Sequence, residues 1–167
     1  MAIVINPIDP VAFSVFGLPI RWYALAYIAG FVIGFYLFRY FTRNKNDEIY
    51  LGKKQLDDFV TFIVLGVIIG GRLGYVLFYN LPFFIENPLE ILMLWRGGMS
   101  FHGGLLGVII ATFLFVWKNK FSDKSIPRNA FRLLDILSVV APVGIGLGRV
   151  ANFINMEVMG RITQSPF

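Results

Sequence analysis

The chain contains no cysteine and only one histidine, His102, among its 167 residues. Disulfide bridges, thiol nucleophiles and cysteine-ligated metals are therefore excluded, and a histidine-rich metal site is excluded with them. The first 19 residues contain no lysine or arginine, so the N-terminal segment is not predicted to be a secretory signal peptide. Charged residues make up only 15% of the chain, which is atypical of a soluble domain.

Hydrophobic residues are abundant, at 57% of the chain, and 17% of all residues are aromatic. A hydrocarbon core of roughly 30 Å requires about 20 apolar residues in a helix. Four segments meet this requirement, at residues 21–40, 59–79, 101–117 and 133–153. The predicted fold class is therefore all-α: a polytopic membrane helix bundle of four transmembrane helices, forming a single integral-membrane domain over residues 1–167.

Two further apolar stretches are too short or too irregular to span. Residues 1–19 contain three prolines and are predicted to form an ordered arm that lies on the membrane. Residues 83–95 are interrupted by Asn87 and Pro88, and they predict a short interfacial helix at the bilayer surface.

The basic residues predict the orientation. The loops after the first and third spans hold ten of the fifteen: Arg39, Arg43, Lys45, Lys53, Lys54, Lys118, Lys120, Lys124, Arg128 and Arg132. The arm before the first span has none, and the loop before the third has only Arg96. Cytoplasmic loops are enriched in basic residues, so the N-terminus is predicted to lie outside. The net charge of +5 then reflects membrane topology, and no nucleic-acid partner is predicted.

Two arginines lie inside predicted spans, Arg72 in the second and Arg149 in the fourth. Each costs at least about 2.5–3.5 kcal/mol in a hydrocarbon core, so each needs a compensating environment. One interpretation is snorkelling or pairing with an acid such as Glu157. The other is binding of a phosphate, whose oxygens match the guanidinium fork.

The third span opens with His102, Gly103 and Gly104. The histidine is either a structural residue or a catalytic or substrate-binding group, since histidine can take up a proton near neutral pH. The glycine pair would let an anionic head group reach the amides of a helix N-terminus. Glycines elsewhere recur every four residues and predict close helix packing, at 30/34, 66/70/74, 103/107 and 144/148.

Polar residues collect at the predicted outer ends of the spans. They are Tyr23 in the first, Tyr75, Tyr79 and Asn80 in the second, and Asn152, Asn155, Glu157 and Arg161 in the fourth, where Gly160 lies among them. Tyr23 is also typical of an aromatic belt. Together with His102 and the arginines, these residues predict a pocket for an anionic lipid head group, entered from the side.

Three runs of residues carry a family resemblance: GGRLGYVLFYN at 70–80, GGMSFHGGLLG at 97–107 and GLGRVANFINME at 146–157. With Gly160-Arg161 and the RWY entry to the first span, they resemble the bacterial prolipoprotein diacylglyceryl transferases. The resemblance implies transfer of the diacylglyceryl group from phosphatidylglycerol to the lipobox cysteine of a prolipoprotein signal peptide. A thioether forms and glycerol phosphate leaves. It also implies no cofactor or metal, and a multi-pass protein of the bacterial plasma membrane with its active site toward the outer leaflet.

The resemblance also implies residue roles. Arg149 would hold the lipid phosphate, His102 would activate the thiol, and Tyr23 would complete the catalytic group. The implied substrate-binding residues are Arg72, Tyr75, Gly103, Gly104, Asn152, Asn155, Glu157, Gly160 and Arg161. Ala151 stands where the family pattern usually has glycine. Family members continue through further spans, so the chain is expected to be an N-terminal fragment.

Two other functions compete with this enzyme. One is a transporter or channel subunit with Arg72 and Arg149 along an anion path, and the other is a non-catalytic lipid-binding fragment or assembly factor. An anion path needs polar residues through the whole bilayer. Residues 31–38 and 108–116 are almost purely apolar, which favours the enzyme over the path.

Overall fold

The computed structural model describes residues 9–15, 17–43, 49–119, 121 and 125–156. Its elements in chain order are β1 (Val11–Val15), β2 (Leu18–Arg21), α1 (Trp22–Thr42), α2 (Lys53–Phe78), α3 (Leu81–Glu86), α4 (Phe101–Asn119) and α5 (Ile126–Ile154). Within the described residues, four helices are long and apolar enough to cross a membrane, namely α1, α2, α4 and α5. The predicted all-α polytopic class with four spans is confirmed.

The chain divides into two compact units, one made of Met1–Tyr40 and Leu137–Phe167, the other of Phe41–Ile136. The first unit holds the strands, nearly all of α1 and the later part of α5. The second holds α2, α3, α4 and the start of α5. The prediction of one integral domain over residues 1–167 stays a prediction.

In the first unit, part of the predicted surface arm is a β-hairpin. Strands β1 and β2 are antiparallel, and Gly17 between them has φ +81°, a conformation that favours glycine. The amide of Trp22 donates to the carbonyl of Pro10 at 3.1 Å, which ties the start of α1 to the hairpin. Sequence reasoning expected an ordered arm but assigned no strands to it, because the prolines obscured the short strands.

The first unit also contains a close approach between α1 and α5. A Cβ atom added to Gly30 would lie 3.1 Å from the Cα of Gly144, and one added to Gly34 would lie 3.3 Å from Val140 Cγ1. The spacing of small residues on α1 is therefore used for packing, as predicted.

In the second unit, α2 and α4 pack through their glycines. A Cβ atom on Gly66 would lie 2.6 Å from the carbonyl oxygen of Gly107, and one on Gly74 would lie 2.7 Å from the Cα of Gly103. No side chain fits between the two backbones at these points, so the predicted glycine packing is confirmed. At the far end of the pair, the rings of Phe59 and Phe115 are buried, with centroids 4.9 Å apart.

Two helices begin earlier than the apolar pattern predicted. The pattern starts at residues 59 and 133, whereas α2 starts at Lys53 and α5 at Ile126. At 1.5 Å per residue α2 is about 39 Å long and α5 about 43 Å, both longer than the hydrocarbon core. Hydropathy marks only the apolar part of a helix, while its hydrogen bonds continue into the basic flank.

The predicted interfacial helix at 83–95 is divided. Helix α3 stops at Asn87, whose amide donates to the carbonyl of Phe83 at 2.9 Å, because a following proline disfavours helical geometry. Two 3-10 turns, Pro88–Leu92 and Leu94–Arg96, complete the loop. Its large apolar side chains are exposed, at 70–79% for Ile85, Leu89, Leu92 and Trp95. Exposed apolar residues of this density are typical of a surface that contacts lipid.

Candidate functional site

Arg72 is buried in α2, with only 5% of its surface exposed. Its Nε donates to the carbonyl of Ile91 at 2.9 Å. Its other two nitrogens donate to four more backbone carbonyls: Gly97 at 2.5 Å, Gly98 at 3.0 Å, Glu90 at 2.6 Å and Met93 at 3.3 Å. A guanidinium has five N–H donors, so every donor of Arg72 is used.

The environment of Arg72 differs from both interpretations that the sequence left open. The compensating partners of Arg72 are backbone carbonyls, which neither acid pairing nor phosphate binding anticipated. The ring of Phe84 adds a cation–π contact, 5.2 Å from the guanidinium carbon. In this structure Arg72 has no donor left for a phosphate, which points to a role in holding the loop between α2 and α4.

The segment that leads into α4 is fixed to α2 by further contacts. The amide of Ser100 donates to the carbonyl of Gly71 at 2.8 Å. Gly98 has φ +83°, and a Cβ atom there would lie 2.5 Å from the ring of Tyr75 and 3.0 Å from Arg72. Residues 97–100 therefore lie against the last two turns of α2.

Gly103 and Gly104 do not offer free amides at the start of α4. The amide of Gly103 donates to Ser100 Oγ at 3.2 Å, and that of Gly104 to the carbonyl of Ser100 at 2.9 Å. Both glycines are buried. The expectation that a head group reaches these amides conflicts with this geometry, because Ser100 caps the helix and Gly103 packs against α2.

His102 is the second residue of α4, and its side chain is exposed. Its ring meets that of Phe101 edge to face, with centroids 5.8 Å apart. Buried Ser100 and Gly103 flank the Phe101–His102 pair. The backbone of this short stretch is thus held firmly while the imidazole remains accessible, which suits proton exchange with a bound molecule.

Tyr75 lies one turn beyond Arg72 on α2 and is half-buried. Its ring stacks on that of Tyr79, with centroids 5.6 Å apart and an interplanar angle of 11°. It also meets Phe84 edge to face at 6.3 Å. These contacts hold the ring of Tyr75 in the position where it packs against Gly98.

Arg149 belongs to the first unit and has an exposed side chain on α5. It makes no hydrogen bond or ion pair with any residue in the described part of the chain. Asn152 follows three residues later, on the same side of the helix. Its side-chain oxygen is buried and has no hydrogen-bond partner among the described residues. A cationic donor and an amide acceptor thus lie one turn apart, and together they could bind a polar anionic molecule.

Tyr23 and Asn155 are the other described candidates of the first unit, and both are half-buried. The hydroxyl of Tyr23 lies 3.2 Å from that of Tyr27, one helical turn away on α1. The amide of Asn155 donates to the carbonyl of Ala151 at 2.9 Å, and Ala151 is buried. Glu157, Gly160 and Arg161 lie outside the described residues. Convergence of all these groups with His102 on one site stays a prediction.

Sequence reasoning missed the contribution of Ser100. Its hydroxyl caps α4, its amide binds α2 and its side chain is buried. A serine directly before an apolar helical run is a recognisable helix start signal, so the cap could have been found. The carbonyls that bind Arg72 carry no such signal, since any residue supplies a carbonyl.

Comparison with known proteins gives a consistent result. The sequence model of the family described as prolipoprotein diacylglyceryl transferase matches residues 10–167. The phosphatidylglycerol–prolipoprotein diacylglyceryl transferase of Azospirillum brasilense is 50% identical over 161 residues, covering 96% of this chain and 57% of the relative. The enzyme of that name from Bradyrhizobium diazoefficiens is 50% identical, covering 93% and 54%. That from Rickettsia felis is 47% identical, covering 96% and 58%. The chain thus spans rather more than half the length of these relatives.

Proposed function

Because the chain belongs to the prolipoprotein diacylglyceryl transferase family, we propose that it takes part in transfer of a diacylglyceryl group from phosphatidylglycerol to a prolipoprotein. The names of the relatives supply both substrates. The proposed acceptor is the cysteine thiol of a lipobox in the signal peptide. The chain itself has no cysteine, so the reacting sulfur belongs to the substrate.

The proposed reaction is a substitution at carbon. The thiol loses its proton, and its sulfur forms a bond to the glyceryl carbon that carries the phosphate. The bond from that carbon to the phosphate oxygen breaks, and glycerol phosphate leaves with the electron pair. A site for this step needs a group that accepts the thiol proton and a cation that stabilises the phosphate.

Arg149 is the proposed phosphate ligand. Its exposure without a partner among the described residues, inside a helix able to span the membrane, is the observation that carries this assignment. A guanidinium in hydrocarbon is stabilised by an anion, and a lipid phosphate is the anion that membranes supply. Asn152, one turn away, could accept a hydrogen bond from a hydroxyl of the head group.

His102 is the proposed proton acceptor, because its imidazole is exposed on a fixed backbone. Tyr23 is proposed as the third catalytic group. Tyr75 and Asn155 are proposed to border the head group, and the family motif extends the same proposal to Glu157, Gly160 and Arg161. Arg72, Gly103 and Gly104 are proposed to hold the start of α4 against α2, in view of their hydrogen bonds and packing, and not to contact the substrate.

The protein is a multi-pass membrane protein, and its proposed location is the bacterial plasma membrane. The proposed orientation places the N-terminus outside, both basic loops in the cytoplasm and the active site toward the outer leaflet. The charge asymmetry of the loops supports this orientation.

An anion path is less well supported. Such a path would use both intramembrane arginines, and all five donors of Arg72 already bind backbone carbonyls. A non-catalytic lipid-binding role is the alternative. Formation of the diacylglyceryl adduct distinguishes the enzyme from this role.

A transfer assay tests the proposal. The purified chain in detergent is incubated with phosphatidylglycerol and a lipobox peptide, and mass spectrometry detects the diacylglyceryl adduct. A peptide with serine in place of cysteine is the substrate control, and the Azospirillum brasilense relative is the positive control. Adduct formation is expected to fall by about 100-fold or more in Arg149→Ala and by about 100- to 10,000-fold in His102→Ala.

The outcomes separate the alternatives. Full activity in both variants would reject the proposed site. Binding of phosphatidylglycerol without any adduct, while the positive control is active, would favour the lipid-binding role. Anion flux through liposomes that contain the chain would favour the path.

A further inference from the structure

The loop between α2 and α4 turns back along α2 before α4 begins. The apolar part of α2 runs from residue 59 to 78, a length of about 30 Å that matches the hydrocarbon core. The amide of Ser100 bonds to Gly71, seven residues before the helix ends at Phe78. That point is about 10 Å below the end of α2 along the helix axis. Helix α4 therefore begins beside the last turns of α2 rather than beyond them.

Irregular backbone at this depth needs internal hydrogen bonds. Carbonyl groups outside a helix cannot be left to hydrocarbon, and such segments persist only where protein satisfies them. Arg72 satisfies the five carbonyls of Glu90, Ile91, Met93, Gly97 and Gly98. In return these carbonyls surround a charge that would otherwise be costly inside a span.

The same contacts determine where His102 lies. Gly97 and Gly98 have φ +79° and +83°, which turns their carbonyls toward Arg72. Two residues later Ser100 binds Gly71 and caps α4, and the next turn packs Gly103 against Gly74. Hydrogen bonds or close packing therefore hold Gly97, Gly98, Ser100 and Gly103 in place.

We propose that Arg72 is a positioning residue for His102, holding the segment 90–100 against the last turns of α2 so that the imidazole at the start of α4 is presented to the bound lipid. This inference rests on the proposed function for the identity of the reacting lipid. The contact that it assigns to Arg72 is with the protein backbone, and the phosphate is left to Arg149.

Hydrogen exchange of the chain in lipid nanodiscs tests the positioning. In Arg72→Lys the charge remains, but three donors cannot replace five. Amides in residues 97–104 are expected to exchange about tenfold faster or more, because buried hydrogen bonds to a charged group are lost. Amides in residues 105–116 are expected to keep their protection. Arg96→Lys is the matched control, since Arg96 lies on the same loop with 58% of its side chain exposed.

A second pair of variants leaves Arg72 in place. Gly98→Ala would push the segment away from Tyr75 and Arg72, and the same local acceleration is expected. Gly97→Ala also places an alanine at a positive φ, but its methyl group would meet no described atom within 4 Å. Faster exchange at 97–104 in Gly98→Ala than in Gly97→Ala supports the proposal. If Arg72→Lys loses protection throughout α4, the comparison of Gly98→Ala with Gly97→Ala still tests whether contact with Arg72 holds the segment.

Kinetics then distinguish positioning from substrate binding. For a positioning residue, Arg72→Lys should lower kcat by about 10- to 100-fold, while KM for phosphatidylglycerol changes less than about twofold. A raised KM with kcat unchanged would overturn the proposal in favour of direct phosphate binding. Unchanged exchange at 97–104 in both Arg72→Lys and Gly98→Ala would also overturn it. Local acceleration without any transfer by the wild-type chain would leave the positioning in place and reject only the proposed reaction.

Discussion

The two arginines inside the spans, Arg72 and Arg149, have different environments. Arg72 is buried, and its five donors bind five carbonyls. Arg149 is exposed and has no partner among the described residues. A buried and fully bonded guanidinium stabilises the local fold, whereas an unpaired one is available for an anion. The residue that is structurally unexplained is therefore the better candidate for substrate binding.

At the residue scale, we expect Ser100→Ala to destabilise the protein by about 1 kcal/mol, because α4 loses its N-terminal cap. The measurement is the free energy of unfolding in mild detergent. Thr61→Ala is the control, since the Thr61 hydroxyl donates to the carbonyl of Asp57 one turn back at an exposed position. An equal loss in the two variants would show that the cap contributes nothing specific.

At the scale of elements, glycine spacing determines how α2 and α4 associate. Lipid chains are as apolar as leucine side chains, so helices in a membrane gain little from hydrophobic burial against each other. Close backbone approach supplies dispersion contacts in its place. The contacts of Gly66 with Gly107 and of Gly74 with Gly103 show this approach over about two turns. The helix pair then forms a firm support for the loop that Arg72 binds.

Gly66→Ala is expected to lower the free energy of unfolding by about 1–3 kcal/mol through overpacking. The added methyl group would lie 2.6 Å from the carbonyl oxygen of Gly107 and 2.8 Å from the Cβ of Ala111. Thermal unfolding in the same detergent measures the effect.

Gly146→Ala on α5 is the matched control, because its methyl group would meet no atom of the described residues within 4 Å. Alanine favours helix over glycine, so this variant should be unchanged or slightly more stable. A loss of stability as large as that of Gly66→Ala would contradict the packing argument.

At the scale of the whole molecule, the charge distribution predicts how the chain inserts. Basic residues extend into the first turns of two membrane helices, at Lys53 and Lys54 of α2 and at Arg128 of α5. Cations at a helix N-terminus oppose the helix dipole at a cost of up to about 1 kcal/mol each. Their presence there supports the proposed orientation, in which the loops before α2 and α5 are cytoplasmic.

Cysteine labelling tests this orientation without background, because the chain has no cysteine. Single cysteines replace Glu86, at the end of α3, and Ser125, before α5; both positions are exposed. In intact cells a membrane-impermeant maleimide is expected to label position 86 alone, with position 125 labelled only after permeabilisation. The reverse pattern would contradict the proposed topology.

Much of the fold could be predicted from the sequence. The four spans, the glycine contacts of α2 with α4 and the break at Asn87 follow from local patterns of hydropathy, spacing and proline geometry. The hairpin at Val11–Val15 and Leu18–Arg21 could not be predicted with the same ease, because short strands between prolines give a weak signal. The predicted starts of α2 and α5 were about two turns too late, since each helix begins before its apolar segment does.

The sequence by itself determined the family, the number of spans and the residue types available for chemistry, since these depend on composition and on order along the chain. The tertiary structure alone decided what each polar residue does. Arg72, Gly103 and Gly104 resembled parts of an anion site, and the folded chain uses their donors and surfaces internally. The physical reason is that a hydrogen bond depends on which carbonyl lies within reach. In this protein those carbonyls come from a loop some 18 to 26 residues away in sequence.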